Sequence, residues 1–185
     1  MSRINRKRRG FTLPEVLVTL AIVATLAAVL MPALNSQLSK GDAGRLTSDL
    51  KAIQTAVGAF TSDVRRYPGD LTDLNTKPGV TDQDVLGNAF GSVLVAKWRG
   101  PYLSKELLSG TIIPSGYGST IAGGLTRTTY NGIPYLTISV SPLTEAEFNT
   151  IDQIIDESAS SSTGQLRFTG TSVSGTVTFY AVPIQ

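Results

Sequence analysis

Between Phe11 and Leu34 the chain carries one charged residue, Glu15, and from Val16 to Leu34 the apolar run is interrupted only by Thr19, Thr25 and Pro32. As an α-helix, 24 residues rise about 36 Å, enough to cross a hydrocarbon core about 30 Å thick. The stretch reads as a membrane span. It divides the chain into a short segment before the span and one body after it, since 185 residues leave room for a single compact domain.

Charge orients the span. Five of the 16 Lys and Arg residues, Arg3, Arg6, Lys7, Arg8 and Arg9, fall in the first nine positions. The positive-inside rule puts that leader in the cytoplasm and residues 35–185 on the far side, a single pass. Without the leader, eleven cations face fourteen anions, a net charge of −3. The folded part therefore has no electrostatic basis for binding nucleic acid. The chain has no cysteine and no histidine, which excludes thiolate nucleophiles, Cys/His zinc sites and every His-dependent relay. An ordinary secretory signal calls for an Ala-x-Ala-like site after the apolar run, and none occurs before Lys40. The same gap, together with Glu15, argues against a twin-arginine export signal built on Arg8-Arg9.

Two positions carry chemistry of their own. Gly10 has no side chain to crowd a protease cleft, so the peptide bond after it can lie extended there. Glu15 sits in an apolar helix, where a central acid costs about 2.5 to 3.5 kcal/mol and one near the interface costs less, so a cationic partner is expected. Gly10-Phe11-Thr12-Leu13-Pro14-Glu15-Val16, with basic residues before it and a long apolar helix after it, closely resembles the processing site of type IV prepilins and type II secretion pseudopilins. The resemblance implies that a prepilin peptidase cuts between Gly10 and Phe11 and methylates the new terminus at Phe11. It also implies that Glu15 is the family's assembly glutamate. The implied partners are copies of the chain itself, other pilin-like subunits, the peptidase, the inner membrane and its assembly platform.

A second helical pattern follows. Leu46, Leu50, Ile53, Val57, Phe60 and Val64 step by four and three residues along one face, an apolar seam facing a core. Between the span and the seam, Pro32 removes a helix hydrogen bond, and Gly41 and Gly44 each weaken a helix by about 1 kcal/mol. The resemblance implies the same weak point, because family members carry a proline here and can lose helix locally on packing into filaments.

Tyr67-Pro68-Gly69-Asp70 ends the second pattern. The expected organisation is a cleaved leader over 1–10, a membrane or filament-core helix over 11–34, an amphipathic continuation over 35–66, a loop-rich region over 67–134, and an antiparallel sheet over 135–185. Strands are predicted at 135–140, 165–168 and 176–182. A short helix over 143–157 is predicted from the capping box of Thr144 and Glu147, and 158–164 reads as a flexible turn. Val93–Ala96 fits a strand or a helical turn equally well. The expected fold is α+β, a lollipop in which a long N-terminal helix packs on a small sheet.

Trp98-Arg99-Gly100-Pro101-Tyr102-Leu103 and Tyr130-Asn131-Gly132-Ile133-Pro134-Tyr135 look like segments of the major pseudopilin of type II secretion. That group commonly binds calcium through a late acidic loop, but residues 107–144 contain no Asp or Glu, so no metal site is carried over. Asp152, Asp156 and Glu157 read as a solvated helix face, and Asp70, Asp73, Asp82 and Asp84 as a solvated loop. No catalytic fingerprint occurs, and neither catalysis nor a cofactor is expected. The reading is a structural subunit of a pilus-like filament or a secretion pseudopilus. The alternative is a non-polymerising, membrane-anchored periplasmic binding or hydrolytic domain.

Overall fold

The computed structural model describes residues 11–108 and 112–184. Helix α1 runs from Leu13 to Val64, 52 residues, without a break at Pro32. The chain divides into two compact units, one ending at Leu38 and the other starting at Ser39.

In the second unit the C-terminal part of α1 buries every member of the apolar seam, Leu46, Leu50, Ile53, Val57, Phe60 and Val64. Each such side chain, fully buried, contributes about 1.5 to 3 kcal/mol of transfer free energy. The seam shares one core with the inward residues of an antiparallel sheet. The strands are β1 (Ile113–Pro114), β2 (Thr120–Ile121), β3 (Thr126–Tyr130), β4 (Ile133–Leu143), β5 (Leu166–Thr171) and β6 (Ser174–Pro183), and the path is β1-β2-β4-β6-β5. Both β2 and β3 pair with β4, β2 at Val140 and Ser141 and β3 from Ile133 to Thr137.

Strands predicted at 135–140, 165–168 and 176–182 are present and longer. The sheet also recruits β1 to β3 from the region read as loop. The β3–β4 hairpin turns on Asn131 and Gly132, both at positive φ, which a two-residue primed turn requires. Asn-Gly between threonine-rich and β-branched residues was the available signal. Burial is not confined to the apolar strand positions, since Thr137 is held among the hydroxyls of Thr126 (2.8 Å) and Thr128 (2.9 Å).

The short helix forms as α4 (Glu145–Ile155), and its capping box is complete. Phe148 and Ile151 are buried, but so is Asp152, which corrects the reading of that face as solvated. The Asp152 carboxylate accepts the Ser160 N–H (2.9 Å), and Asp156 accepts the Leu166 N–H (2.9 Å). Two helix carboxylates thus pin the ends of the segment expected to be a flexible turn.

The acids of the first loop are corrected in the same way. Asp73 and Asp84 are buried. Asp73 accepts the Gly69 N–H at 2.8 Å, and Asp84 holds Arg66 at 2.7 Å and the N–H groups of Leu86 and Asn88. Two short helices, α2 (Thr72–Asn75) and α3 (Gly91–Val95), punctuate this loop, so Val93 belongs to a helix. Trp98 donates its indole N–H to the Asp73 carbonyl, and its ring meets Tyr102 edge-on at 5.7 Å. Tyr102 in turn meets Phe60 at 5.7 Å and donates its hydroxyl to Asp63. The Trp98–Leu103 segment therefore closes the end of the core over α1.

Candidate functional site

The first turn of α1 is built by Thr12-Leu13-Pro14-Glu15. Thr12 precedes the helix, and the Thr12 carbonyl accepts the Val16 N–H at 3.2 Å. Glu15, the third helical residue, accepts the Thr12 N–H at 2.8 Å and the Thr12 hydroxyl at 2.7 Å. A Thr with Glu three residues on is the same signature that marked α4, and here it identifies Thr12, which the sequence reading left without a role. Pro14 is tolerated in the first turn, where an N–H has no helical partner in any case. A carboxylate at this end also complements the helix dipole.

Phe11, at the start of the described residues, is 89% exposed. Beyond Glu15 the helix presents Val16, Leu17, Val18, Leu20, Ile22 and Val23 to the outside, and the exposed apolar residues continue to Leu38. They occur on all sides of the helix. Polar groups within it are satisfied locally, with the hydroxyls of Thr19 and Thr25 bonding the carbonyls of Val16 and Ile22. That is the arrangement a lipid environment demands, where an unpaired polar group has no water to turn to. An 18-residue window of α1 has a mean hydropathy of 2.5 and none of it is buried.

Pro32 lies inside this exposed stretch. It lacks an N–H and its ring opposes the preceding turn, so it removes one bond from the ladder without ending the helix. The structure thus joins Glu15 to Thr12 in the first turn, with Phe11 just before it in the chain, and leaves Pro32 about five turns away. Gly10 and the basic leader lie outside the described residues. Among the described residues, no group of three or more acids is placed to hold a metal ion.

Fold and site define a class: an α+β protein whose exposed apolar helix, long and apolar enough to cross a membrane, begins at a capped glutamate and continues into the core of a sheet domain. The family model for the prokaryotic N-terminal methylation motif matches residues 5–31. Type II secretion system core protein G of Klebsiella michiganensis is 36% identical over 78 residues, which are 40% of this chain and 55% of the relative. Type IV major pilin protein PilA of Myxococcus xanthus is 32% identical over 78 residues, 42% of this chain and 36% of the relative. Fimbrial protein Q of Moraxella bovis is 29% identical over 124 residues, covering 67% of this chain and 70% of the relative. The chain spans about half the length of the secretion proteins it matches. No solved structure matches it. The chain thus carries the prokaryotic N-terminal methylation motif and is similar, over its N-terminal part, to type II secretion system core proteins and a type IV pilin.

Proposed function

We propose that the chain is a structural subunit of a type IV pilus-like filament or a type II secretion pseudopilus, assembled by packing the apolar part of α1 against copies of itself and other pilin-like subunits. One observation carries this reading: the chain leaves its residues from Phe11 to Leu38 uncovered while one carboxylate, Glu15, sits in the first turn of α1. Such a helix needs an apolar environment, first lipid and then neighbouring helices.

In this reading the prepilin peptidase cuts after Gly10 and methylates Phe11. The ammonium so created pairs with Glu15 of a neighbouring subunit, since opposite charges that meet in a low-dielectric core offset each other's burial cost. An uncut precursor has no such amine to offer. Before assembly the chain spans the inner membrane with its N-terminus in the cytoplasm, where the assembly platform engages it. Afterwards it lies in a periplasmic pseudopilus or a cell-surface pilus. Its work is mechanical and needs no catalytic group.

Mass spectrometry of the mature protein tests the reading. A terminus at Phe11 carrying one added methyl group supports it. A mature protein that retains Met1 and the leader overturns it in favour of a simple anchor.

A further inference from the structure

The solvent-facing side of the sheet carries an arginine nested in tyrosines. Leu166 and Phe179 point into the core, so their neighbours Arg167 on β5 and Tyr180 on β6 point away from it. In the order β3-β4-β6-β5, four adjacent strands supply Tyr130, Tyr135, Tyr180 and Arg167. The guanidinium carbon of Arg167 lies 3.4 Å from the ring centroid of Tyr130 and 4.4 Å from that of Tyr180. Tyr180 meets Tyr135 edge-on at 5.6 Å and Tyr130 at 6.1 Å. An arginine held between ring faces is fixed in orientation and is less hydrated than one in water.

Its hydrogen-bonding side is incomplete. Arg167 Nε is sealed from solvent without a partner, and Nη2 reaches only the Gly164 carbonyl, at 3.5 Å. Among the described residues no carboxylate lies within ion-pair distance of it. The two Nη groups, with planes fixed by the rings and one long bond to a neutral carbonyl, suit a carboxylate, which takes two parallel N–H bonds.

The same residues line a cavity of about 500 Å³, within the range of small-molecule sites. Its wall adds Gln54, Gln165 and Asp156. Gln54 commits its N–H₂ to the Ala181 carbonyl and keeps its own carbonyl, whereas the Asp156 carboxyl is already engaged by the Leu166 N–H and by the Asp152 carboxyl. Aromatic surface beside amide acceptors is the chemistry that takes a sugar ring by its C–H face and its hydroxyls, and the cation adds a demand for negative charge.

We propose that this cavity binds an acidic saccharide, with the carboxylate of a uronate unit on Arg167, its ring against Tyr130 and Tyr135, and its hydroxyls on Gln54 and Gln165. The site lies where Arg167 and the tyrosines of the sheet's outer face meet Gln54 of α1, away from α1's exposed apolar stretch in the sequence, and does not depend on whether the chain polymerises.

The test is calorimetric titration of the full chain in phosphatidylcholine nanodiscs with sodium D-glucuronate, D-glucose and sodium acetate. Saturable binding of glucuronate, with glucose and acetate each about tenfold weaker or more, supports the proposal. Equal binding of glucose removes the role of Arg167, equal binding of acetate removes the sugar contacts, and no saturable binding of glucuronate removes the site. Each of these outcomes overturns it. Arg167→Gln is expected to weaken glucuronate binding about tenfold or more while leaving glucose unchanged, and Tyr130→Leu to weaken both. Glucuronate affinity within twofold of the parent in a folded Arg167→Gln protein also overturns the assignment.

Discussion

Glu15 and Thr12 form a closed local pair, in which one carboxylate oxygen accepts both the backbone N–H and the hydroxyl of Thr12 at 2.8 and 2.7 Å. A carboxylate has about four lone-pair sites, so capping its own helix leaves it able to take an ammonium from elsewhere. The cap holds the side chain along the first turn before any partner arrives, so less side-chain freedom is lost when one does.

Glu15→Gln keeps a carbonyl to accept from Thr12 but has no charge, whereas Glu15→Val loses both. If the amine of a neighbouring subunit is the partner, both variants still insert in the membrane, are still cut after Gly10, and fail to enter filaments as the sole copy. Filament counts by electron microscopy after surface shearing read this directly. Normal filaments from Glu15→Gln would show that capping, and not charge, is what the position supplies.

Gly10→Arg is expected to leave a precursor with its leader attached, because the added side chain crowds the bond to be cut. N-terminal sequencing of the membrane fraction checks it, and mature protein beginning at Phe11 contradicts the processing assignment.

Ile53 is fully buried in the seam of α1. Replacing it with Asp puts an unpaired charge in the core, and in a fragment starting near Lys40 this is expected to abolish cooperative thermal unfolding. A fragment of parental stability would place the seam outside the core.

Burial pushes the Asp73 carboxyl up to about 6, reinforced by the nearby charges of Asp70 and Asp82 and opposed by the hydrogen bonds from Gly69 and Asp70. The folded state therefore binds this proton more tightly than the unfolded chain. Between about pH 4 and 6 the contribution to stability falls as pH rises, and above 6 the cost levels off. Asp152, also raised chiefly by burial, acts in the same direction. Denaturant melts are expected to show a protein less stable at pH 7 than at pH 5, with a smaller difference in Asp73→Asn. An identical difference in the variant would remove Asp73 as a source.

Thr144 closes the capping box of α4 with Glu147, through a 2.8 Å bond from its own N–H and a 3.3 Å bond to its hydroxyl. Thr144→Ala is expected to cost about 1 kcal/mol, measurable as a shift of the unfolding midpoint at constant denaturant slope.

The features legible in the sequence are those whose signal is local. The exposed apolar helix follows from a run broken only by Thr19, Thr25 and Pro32, the seam of α1 from a period of 3.6, and α4 from a Thr and a Glu three residues apart. The main strands follow from β-branched alternation. Each depends on residues within one or two turns of each other, so order along the chain already carries the geometry. The cap on Glu15 was equally local, and the same pattern that revealed Thr144 would have revealed Thr12.

Only the tertiary structure decided which carboxylates lie inside. Asp73, Asp84 and Asp152 have the composition of solvated loops and helix faces, yet they are buried. Their compensating partners are the N–H groups of turns, together with Arg66, which stands 18 residues from Asp84. Whether an acid can leave water depends on donors assembled around it, and those donors exist only once the loops have closed. The same holds for the cluster of Arg167, Tyr130, Tyr135 and Tyr180. Its members come from four strands, and their neighbourhood is set by sheet order, which no single stretch of sequence encodes.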